Sequence, residues 1–332
     1  MGGKCSVNLS ICEVVISLES FDFSNHKMVP EMHKPIKLKQ KVMEGRRSGP
    51  HLLITGGVHG DEFESMVAVR QLMHRVDPQV LSGKLTLIPV ANESAFRNFH
   101  RFGTDGLDLA RTFPGCTEGS VTEQIAAALS ALIRDADFYI DLHTGGTTVS
   151  VSPLAGYLLH INPQVLEKQR EMAQAFNLPV VWGTSAELDG RSLSVARDAD
   201  VPAIYTEYYG SAVCHAEGVE AYTEGCLNVM GVLGMIDRQV GPSQVKHVVE
   251  DPRPMSGHMQ LHNPSPMEGY FESHVVLGQR VAAGDLLGVV CNELGDVREE
   301  VRSSQTGFIL VVRTFPRVNE GDSVAVILEV EN

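Results

Sequence analysis

Paired cysteines, long hydrophobic runs and basic blocks are all absent from this sequence. The six cysteines are scattered without a C-x-x-C pair, so we expect reduced thiols in a cytoplasmic protein rather than a disulfide framework. Because no hydrophobic run reaches about 18 residues and residues 1–30 hold no secretory-type segment, we expect no membrane association. The 27 Lys and Arg against 41 Asp and Glu give a formal charge of −14, which argues against nucleic acid as a partner.

The sequence does contain alternating strand and helix patterns before residue 245. Its 332 residues predict roughly two domains. Short apolar or alternating runs predict strands at residues 7–18, 51–55, 84–90, 137–141, 180–182 and 202–206. Helical spacing of apolar residues predicts helices at residues 63–76, 122–134, 164–176, 192–198 and 219–236. The alternation indicates an α/β domain over residues 1–245, with helices flanking a mixed or parallel sheet.

A different pattern begins after Gly241. Residues 250–268 contain four prolines, which is typical of an irregular crossing, and helical periodicity then disappears. Residues 281–290 are repeated at 318–327, and a Gly-aromatic pair precedes each copy. We therefore predict a smaller C-terminal all-β domain over residues 246–332, similar to a biotinyl/lipoyl-type barrel-sandwich hybrid.

The predicted hairpin between the two repeats, residues 292–296, has no lysine to carry a biotinyl or lipoyl group. A carrier role is therefore excluded. A structural or oligomerising role is favoured for this domain, which makes a homo-oligomer possible.

A candidate metal site follows two of the predicted strands. His59 and Glu62 lie in a glycine-rich turn after the strand at 51–55, and His143 follows the strand at 137–141. Carboxyl ends of parallel strands meet at one edge of a sheet, and imidazole and carboxylate are both zinc ligands. Taken alone, His-x-x-Glu also fits an ordinary surface loop, and a strand-end histidine also fits solvent exposure. Three ligands together leave the open position of a catalytic zinc.

Glu207 ends a third apolar strand and is a candidate proton acceptor, although a lone strand-end carboxylate is often simply exposed. Arginines at positions 97, 101 and 111 fall between the ligand segments. An arginine can polarise a carbonyl or bind a carboxylate, whereas the ordinary reading is a surface arginine, which we accept for Arg97.

Four motifs together resemble the succinylglutamate desuccinylase/aspartoacylase family, which is related to the zinc carboxypeptidases. They are His59-x-x-Glu62, Asp-Leu-His143-Thr-Gly, Asp-Leu-Ala-Arg-x-Phe-Pro-Gly and Thr-Glu207. The resemblance covers nearly the whole chain, including the C-terminal β domain. It implies a zinc-carboxypeptidase-like fold and an amidohydrolase in which zinc-activated water cleaves a small N-acyl amide. Members that act on N-acetyl-diaminobutyrate are also similar.

The resemblance further implies one zinc ion per chain, with Glu207 as general base and acid. Arg101 matches the arginine that polarises the scissile carbonyl. The residues matching the family's zinc ligands are His59, Glu62 and His143.

Substrate binding is implied at Arg111, which matches an arginine that holds a substrate carboxylate. Arg197, together with Arg191, precedes the strand of the base and could bind a second acid group. Asp108 matches an acid that orients a zinc histidine. Ala110 stands where the family usually has Asn, which removes a hydrogen bond to the substrate.

Two alternatives remain open. A carboxypeptidase-like hydrolase of peptides would need an open groove above the metal. A non-catalytic metal-binding or assembly module is the other alternative, and Ala110 is the feature that favours it.

Overall fold

The computed structural model of the protein describes residues 36–259 and 262–330, so the strand predicted at 7–18 lies outside the described part. The strands in these ranges are β1 (Lys41–Glu44), β2 (Arg47–Thr55), β3 (Ser82–Ile88), β4 (Phe138–Leu142), β5 (Val149–Leu158), β6 (Val180–Thr184), β7 (Ala203–Gly210), β8 (His247–Glu250), β9 (Gly269–Ser273), β10 (Arg280–Val281), β11 (Leu286–Cys291), β12 (Arg298–Arg302), β13 (Gly307–Arg313), β14 (Arg317–Val318) and β15 (Ala325–Leu328). The helices are α1 (Phe63–Arg75), α2 (Glu93–Arg97), α3 (Val121–Asp135), α4 (Pro163–Phe176), α5 (Ser192–Asp198) and α6 (Ala216–Val232).

A large mixed sheet is the centre of the fold. Its strands follow the order β1-β3-β2-β4-β7-β5-β13-β10, with β6 paired to β5, β8 to β6 and β15 to β13. Strands β3, β2, β4 and β7 are parallel, whereas β5 runs antiparallel to β7. The carboxyl ends of β2, β4 and β7 therefore meet at one edge, as the sequence predicted.

Helices cover both faces of this sheet because successive residues of a buried strand point to opposite faces. On β2, Leu52 and Ile54 belong to a core formed with α1, α4 and α6, whereas Leu53 belongs to a second core formed with α3 and α5. At the start of helix α3, the backbone amide of Ser120 donates a 2.8 Å hydrogen bond to Oε2 of Glu123. The predicted α/β architecture is confirmed.

In the described ranges, no helix combines the length and apolar character needed to cross a membrane.

The C-terminal segment forms an additional antiparallel sheet, with strand order β12-β11-β9-β14. The sequence repeat is visible in its pairing. Each repeat, taken with the Gly-aromatic strand that precedes it, has three strands: β9, β10 and β11 in the first copy and β13, β14 and β15 in the second. Within each copy the first strand pairs with the third, β9 with β11 and β13 with β15. The short strands β10 and β14 instead pair with the first strand of the other copy. This exchange gives the two repeats a shared core, as expected for the predicted sandwich-like β domain.

Strands from both sides of residue 245 share the large sheet. Strand β8 pairs in parallel with β6, and β13 pairs antiparallel with β5, where Val311 lies opposite Val151. The predicted boundary at 245 lies between α6 and β8, and it stays a prediction of the sequence.

Candidate metal and catalytic site

The loop after β2 carries the first two candidate ligands. Gly57 has a φ of 63°, in the left-handed region that glycine adopts without strain. Gly60 passes so close to α2 that a Cβ atom there would lie 2.1 Å from the carbonyl carbon of Ala95. The side chains of His59 and Glu62, on either side of Gly60 in this loop, are both buried.

His143 follows β4 and completes the cluster. Candidate ligand atoms of His59, Glu62 and His143 all lie within 4.8 Å of one another. Nδ1 of His59 is 2.5 Å from Oε1 of Glu62, and Nδ1 of His143 is 3.0 Å from Oε2 of the same carboxylate. Two imidazole nitrogens and a carboxylate are a donor set that zinc accepts.

Each histidine of the cluster is anchored through its other ring nitrogen. Nε2 of His59 lies 3.0 Å from Oδ1 of Asp108, and Nε2 of His143 lies 3.1 Å from Oδ2 of Asp141. Carboxylate partners of this kind orient metal-binding histidines and raise their basicity. Both Nδ1 atoms consequently face the centre of the cluster, so the residues fit a zinc ion.

Asp108 was predicted in this role, but Asp141 was missed. Thr55 Oγ1 donates a 2.7 Å hydrogen bond to Asp141, and Ser192 Oγ donates another. Burial alone would raise the pKa of Asp141, but His143 and these hydroxyls hold it below its usual value. The sequence held a signal for Asp141, because it lies two positions before His143 and residues two apart along a strand point to the same face.

Glu207 on β7 reaches the same cavity. It is buried, and its Oε2 has no hydrogen-bond partner among the described residues. Burial and the negative charge of Glu62 raise the pKa of Glu207 to about 7. A carboxylate with this pKa can accept a proton and return it near neutral pH.

Arg101 lies beside the cluster and is held by Asp108. Its Nε and Nη2 atoms donate hydrogen bonds of 3.1 and 3.0 Å to Oδ2 of Asp108, and Nη1 is 3.9 Å from Oε1 of Glu62. Burial would raise the pKa of Asp108, but His59 and Arg101 hold it well below its usual range. One carboxylate therefore positions both a candidate ligand and a candidate catalytic arginine.

A pair of arginines forms a second positive region of the cavity. Burial and the nearby charge of Arg191 lower the pKa of Arg111 to about 10. Nη1 of Arg111 donates a 2.6 Å hydrogen bond to the carbonyl of Ala110, and Arg191 lies just before α5. Two like charges held close together under burial favour an anionic ligand.

The structure does not bring Arg197 to this cavity, so its predicted contact with substrate is corrected. Arg197 is at the far end of α5, where Nη2 forms a 2.7 Å ion pair with Asp189 and Nε donates a 2.8 Å hydrogen bond to Asp198. Nη1 donates to the carbonyl of Ala186. Arg191, six positions earlier, lines the cavity instead.

The cavity has a volume of about 650 Å³. Residues beyond position 245 form part of its wall, including Gly257, Met259, Val311 and Phe315. The candidate catalytic residues that line it are His59, Glu62, Arg101, Arg111, His143 and Glu207.

Comparison with known proteins places this site in a family. The model of the succinylglutamate desuccinylase/aspartoacylase catalytic domain matches residues 48–233. The chain belongs to this family. An N-alpha-acetyl-L-2,4-diaminobutyric acid deacetylase from Halomonas elongata is 31% identical over 293 residues, which are 86% of this chain and 84% of that protein.

Solved structures of the desuccinylase/aspartoacylase family share the fold. One from Rhodobacter sphaeroides has a TM-score of 0.80 and 26% identity, with 90% of each chain covered. A product-bound ectoine utilization protein from Ruegeria pomeroyi has a TM-score of 0.79 and 27% identity, with 87% of each chain covered. The prediction of a deacylase that acts on small N-acyl amino acids is confirmed.

Proposed function

We propose that the protein is a cytoplasmic, zinc-dependent amidohydrolase that removes the acyl group from a small N-acyl amino acid. The observation that carries this proposal is the buried cluster of His59, Glu62 and His143, which lines the same cavity as Glu207, whose Oε2 has no hydrogen-bond partner in the described part of the chain. Zinc bound by these three residues would lower the pKa of a water molecule and polarise the scissile carbonyl.

Glu207 is the proton carrier in this mechanism. Its carboxylate accepts a proton from the attacking water, and it then donates that proton to the nitrogen of the leaving amine. The pKa of about 7 suits both steps, because neither protonation state is strongly disfavoured at neutral pH.

Arg101 binds the oxygen of the scissile carbonyl, where negative charge develops as water attacks. Donors already fixed in place stabilise that charge without reorganising, and Asp108 fixes this guanidinium through two hydrogen bonds.

Arg111 and Arg191 bind the carboxylate of the amino acid portion. Two guanidinium groups can bind a carboxylate through charge-assisted hydrogen bonds. The side chain of Ala110 is only a methyl group and cannot hydrogen-bond the substrate, so side-chain recognition of the carboxylate rests on the two arginines. The relative from Halomonas elongata is named for an acetylated diamino acid, which supports a small amino acid substrate.

The wall contributed by Val311 and Phe315 favours a small substrate over a peptide, because a peptide requires a groove that is open at both ends.

A deacylation screen with formyl, acetyl and succinyl amino acids tests the proposal, together with zinc analysis of protein purified without chelator. Glu207→Gln is the matched variant: we expect full zinc content and a turnover lower by about 10²–10⁴-fold. Normal turnover by this variant would remove Glu207 from the mechanism. Protein that is prepared with excess zinc available but contains no bound metal would contradict the metal assignment.

A further inference from the structure

Exposed phenylalanines are concentrated at the mouth of the active-site cavity. Among the described residues, four phenylalanines are exposed. Three of them line the cavity: Phe99 is 78% exposed, Phe102 37% and Phe315 45%. We call these three residues the phenylalanine collar. Large apolar side chains gathered at one opening, rather than scattered singly, are typical of a binding surface.

The loop that carries Phe99 adopts a conformation that a bulky residue rarely adopts. Phe99 has a φ of 53°, in the left-handed region. Such a conformation persists where surrounding contacts enforce it, and it is concentrated at ligand sites. Here the amide of Gly60 donates a 3.1 Å hydrogen bond to the carbonyl of His100, and the Phe102 ring lies 5.2 Å from the His100 ring. The loop is thus joined directly to the loop of the metal ligands.

Phe315 reaches the mouth from the opposite end of the chain. The amides of Thr314 and Phe315 donate hydrogen bonds of 3.0 and 3.1 Å to the carbonyl of Thr148, in the loop that follows His143. Behind it, Val151 on β5 lies opposite Val311 on β13. Val151, Val311 and Phe315 all line the cavity, with Thr148 and Arg313 beside them.

Charged groups near Phe315 do not make this region a polar subsite. Nη1 of Arg313 lies 3.3 Å from Oδ2 of Asp322, so the two opposite charges compensate each other. The remaining hydrogen bonds of the guanidinium go to the backbone carbonyls of Phe315 and Arg317. Paired charges that are already satisfied add little attraction for a further polar group.

The position of Arg101 decides which part of the substrate meets the phenylalanine collar. Arg101 lies between Phe99 and Phe102 in the sequence and is the proposed partner of the scissile carbonyl, which belongs to the acyl group. Arg111 and Arg191, the proposed partners of the amino acid carboxylate, come from other loops. This proximity in the sequence favours contact of the phenylalanine collar with the acyl group.

The size of the cavity agrees with this assignment. Its volume of about 650 Å³ is within the range of roughly 300–1,000 Å³ that holds drug-sized ligands. An acetylated amino acid with a short side chain would leave water against the apolar lining residues Val151, Val311 and Phe315, which is unfavourable.

We propose that the acyl group of the substrate is apolar and longer than acetyl, and that the phenylalanine collar of Phe99, Phe102 and Phe315 binds its chain. This inference rests on the proposed deacylase function and specifies its substrate class. The amino acid portion remains at the two arginines, and the acyl chain extends from the scissile carbonyl towards the mouth.

Binding to the zinc-loaded Glu207→Gln protein tests the inference without turnover. Calorimetric titration would use acetyl, butanoyl, hexanoyl and octanoyl derivatives of one amino acid. Each buried methylene is expected to tighten Kd by about fourfold. Affinity that is constant along the series, or that falls beyond acetyl, would overturn the inference.

Variants of the phenylalanine collar test the same point in the active enzyme. Phe99→Ala and Phe315→Ala are expected to lower the ratio of kcat/KM for the hexanoyl substrate to kcat/KM for the acetyl substrate by about tenfold. Phe96→Ala is the matched control, because Phe96 is 38% exposed on the neighbouring helix α2 but does not line the cavity. Equal losses on both substrates would contradict the inference.

The possible outcomes separate this inference from the proposed function. Hydrolysis that is fastest for acetyl would overturn the inference and leave the deacylase proposal intact. Absence of hydrolysis for every compound would overturn both. Light scattering tests whether a second copy of the chain covers the phenylalanine collar. If Phe99→Ala dissociates an oligomer and does not change acyl selectivity, the collar is an interface between copies and the inference is wrong.

Discussion

The parallel strands β2, β4 and β7 and the antiparallel strands β5 and β13 border the same cavity but contribute different chemistry. The parallel strands end in, or lead directly to, His59, His143 and Glu207. The antiparallel strands contribute Val151 and Val311, which are buried and apolar. The groups that can exchange a proton or bind a metal are gathered at the ends of the parallel strands, and the antiparallel strands add an apolar part of the cavity wall.

This difference shows that the two sides of the cavity depend on different interactions: hydrogen bonds between buried polar groups at the parallel edge, and apolar packing at the antiparallel side. At the parallel edge, both ligand histidines have specific carboxylate partners, His59 in Asp108 and His143 in Asp141, and losing one partner leaves a buried group unsatisfied. At the antiparallel side, the wall depends on close packing. Substitutions on the first side should change the rate, and substitutions on the second side should change selectivity and stability.

The largest effect expected on the parallel side is a loss of activity in acid. Lowering the pH protonates Glu207, and a protonated carboxyl group cannot accept a proton from water. We expect kcat/KM to fall about tenfold per pH unit below the pKa of this group, with the midpoint above the ordinary glutamate value of about 4.3. A pH profile of kcat/KM, with zinc content measured at each pH, checks this. A profile that stays flat down to about pH 4 would contradict it.

Removing the anchor of His143 should have the next largest effect. In Asp141→Asn, Nε2 of the histidine loses its carboxylate partner, and zinc affinity or activity should fall by about 10–100-fold. Competition with a chromophoric chelator measures the affinity. Asp189→Asn is the control, because Asp189 is an exposed acid that pairs with Arg197 outside the cavity. Equal zinc affinity in the two variants would show that Asp141 has no role in the site.

Arg191, just before α5, and Arg197, in its last turn, offer a test with a smaller expected effect. Arg191→Ala should raise KM by roughly tenfold or more, because a charged hydrogen bond to substrate is lost. Arg197→Ala should leave both kcat and KM within about twofold, since exposed ion pairs contribute little. Steady-state kinetics, with an N-acyl amino acid used at concentrations that saturate the enzyme, distinguishes the two variants. A larger KM effect for Arg197→Ala would restore the original sequence prediction.

The smallest effect on catalysis is expected on the antiparallel side. Leu310 on β13 packs in one core with Trp182 on β6, so Leu310→Ala should destabilise the fold by about 2–5 kcal/mol while retaining activity on an acetyl substrate. Unfolding followed by the fluorescence of Trp182, the single tryptophan, and by far-UV circular dichroism should give coincident transitions. Two separated transitions would show that residues 246–332 unfold independently.

The parallel side could be predicted from the sequence because its signals are local. Each apolar run that forms β2, β4 or β7 leads to its functional residue within a few positions. Helix α5, predicted at residues 192–198, has those bounds in the structure. The order of parallel strands then brings their ends together without any further information.

The antiparallel side could not be predicted in the same way. Strand β5 contains Ser150, Ser152, Pro153 and Gly156, which hide its periodicity, and it is a strand because β7 and β13 pair with it. Likewise, nothing local distinguishes Arg191 from Arg197, since the orientation of α5 decides which one faces the cavity. The phenylalanine collar depends on loop contacts between distant parts of the chain.

The close approach of Gly60 to Ala95 has a consequence for how this enzyme can diversify. A side chain at position 60 would meet the backbone of Ala95 and push the loop of the metal ligands away from the loop of Phe99, whereas the side chains at positions 99 and 102 are exposed. New acyl preferences can therefore arise by exchanging the side chains at positions 99 and 102 while Gly60 is kept. Such substitutions would change the range of substrates and leave the arrangement of the candidate metal ligands unchanged.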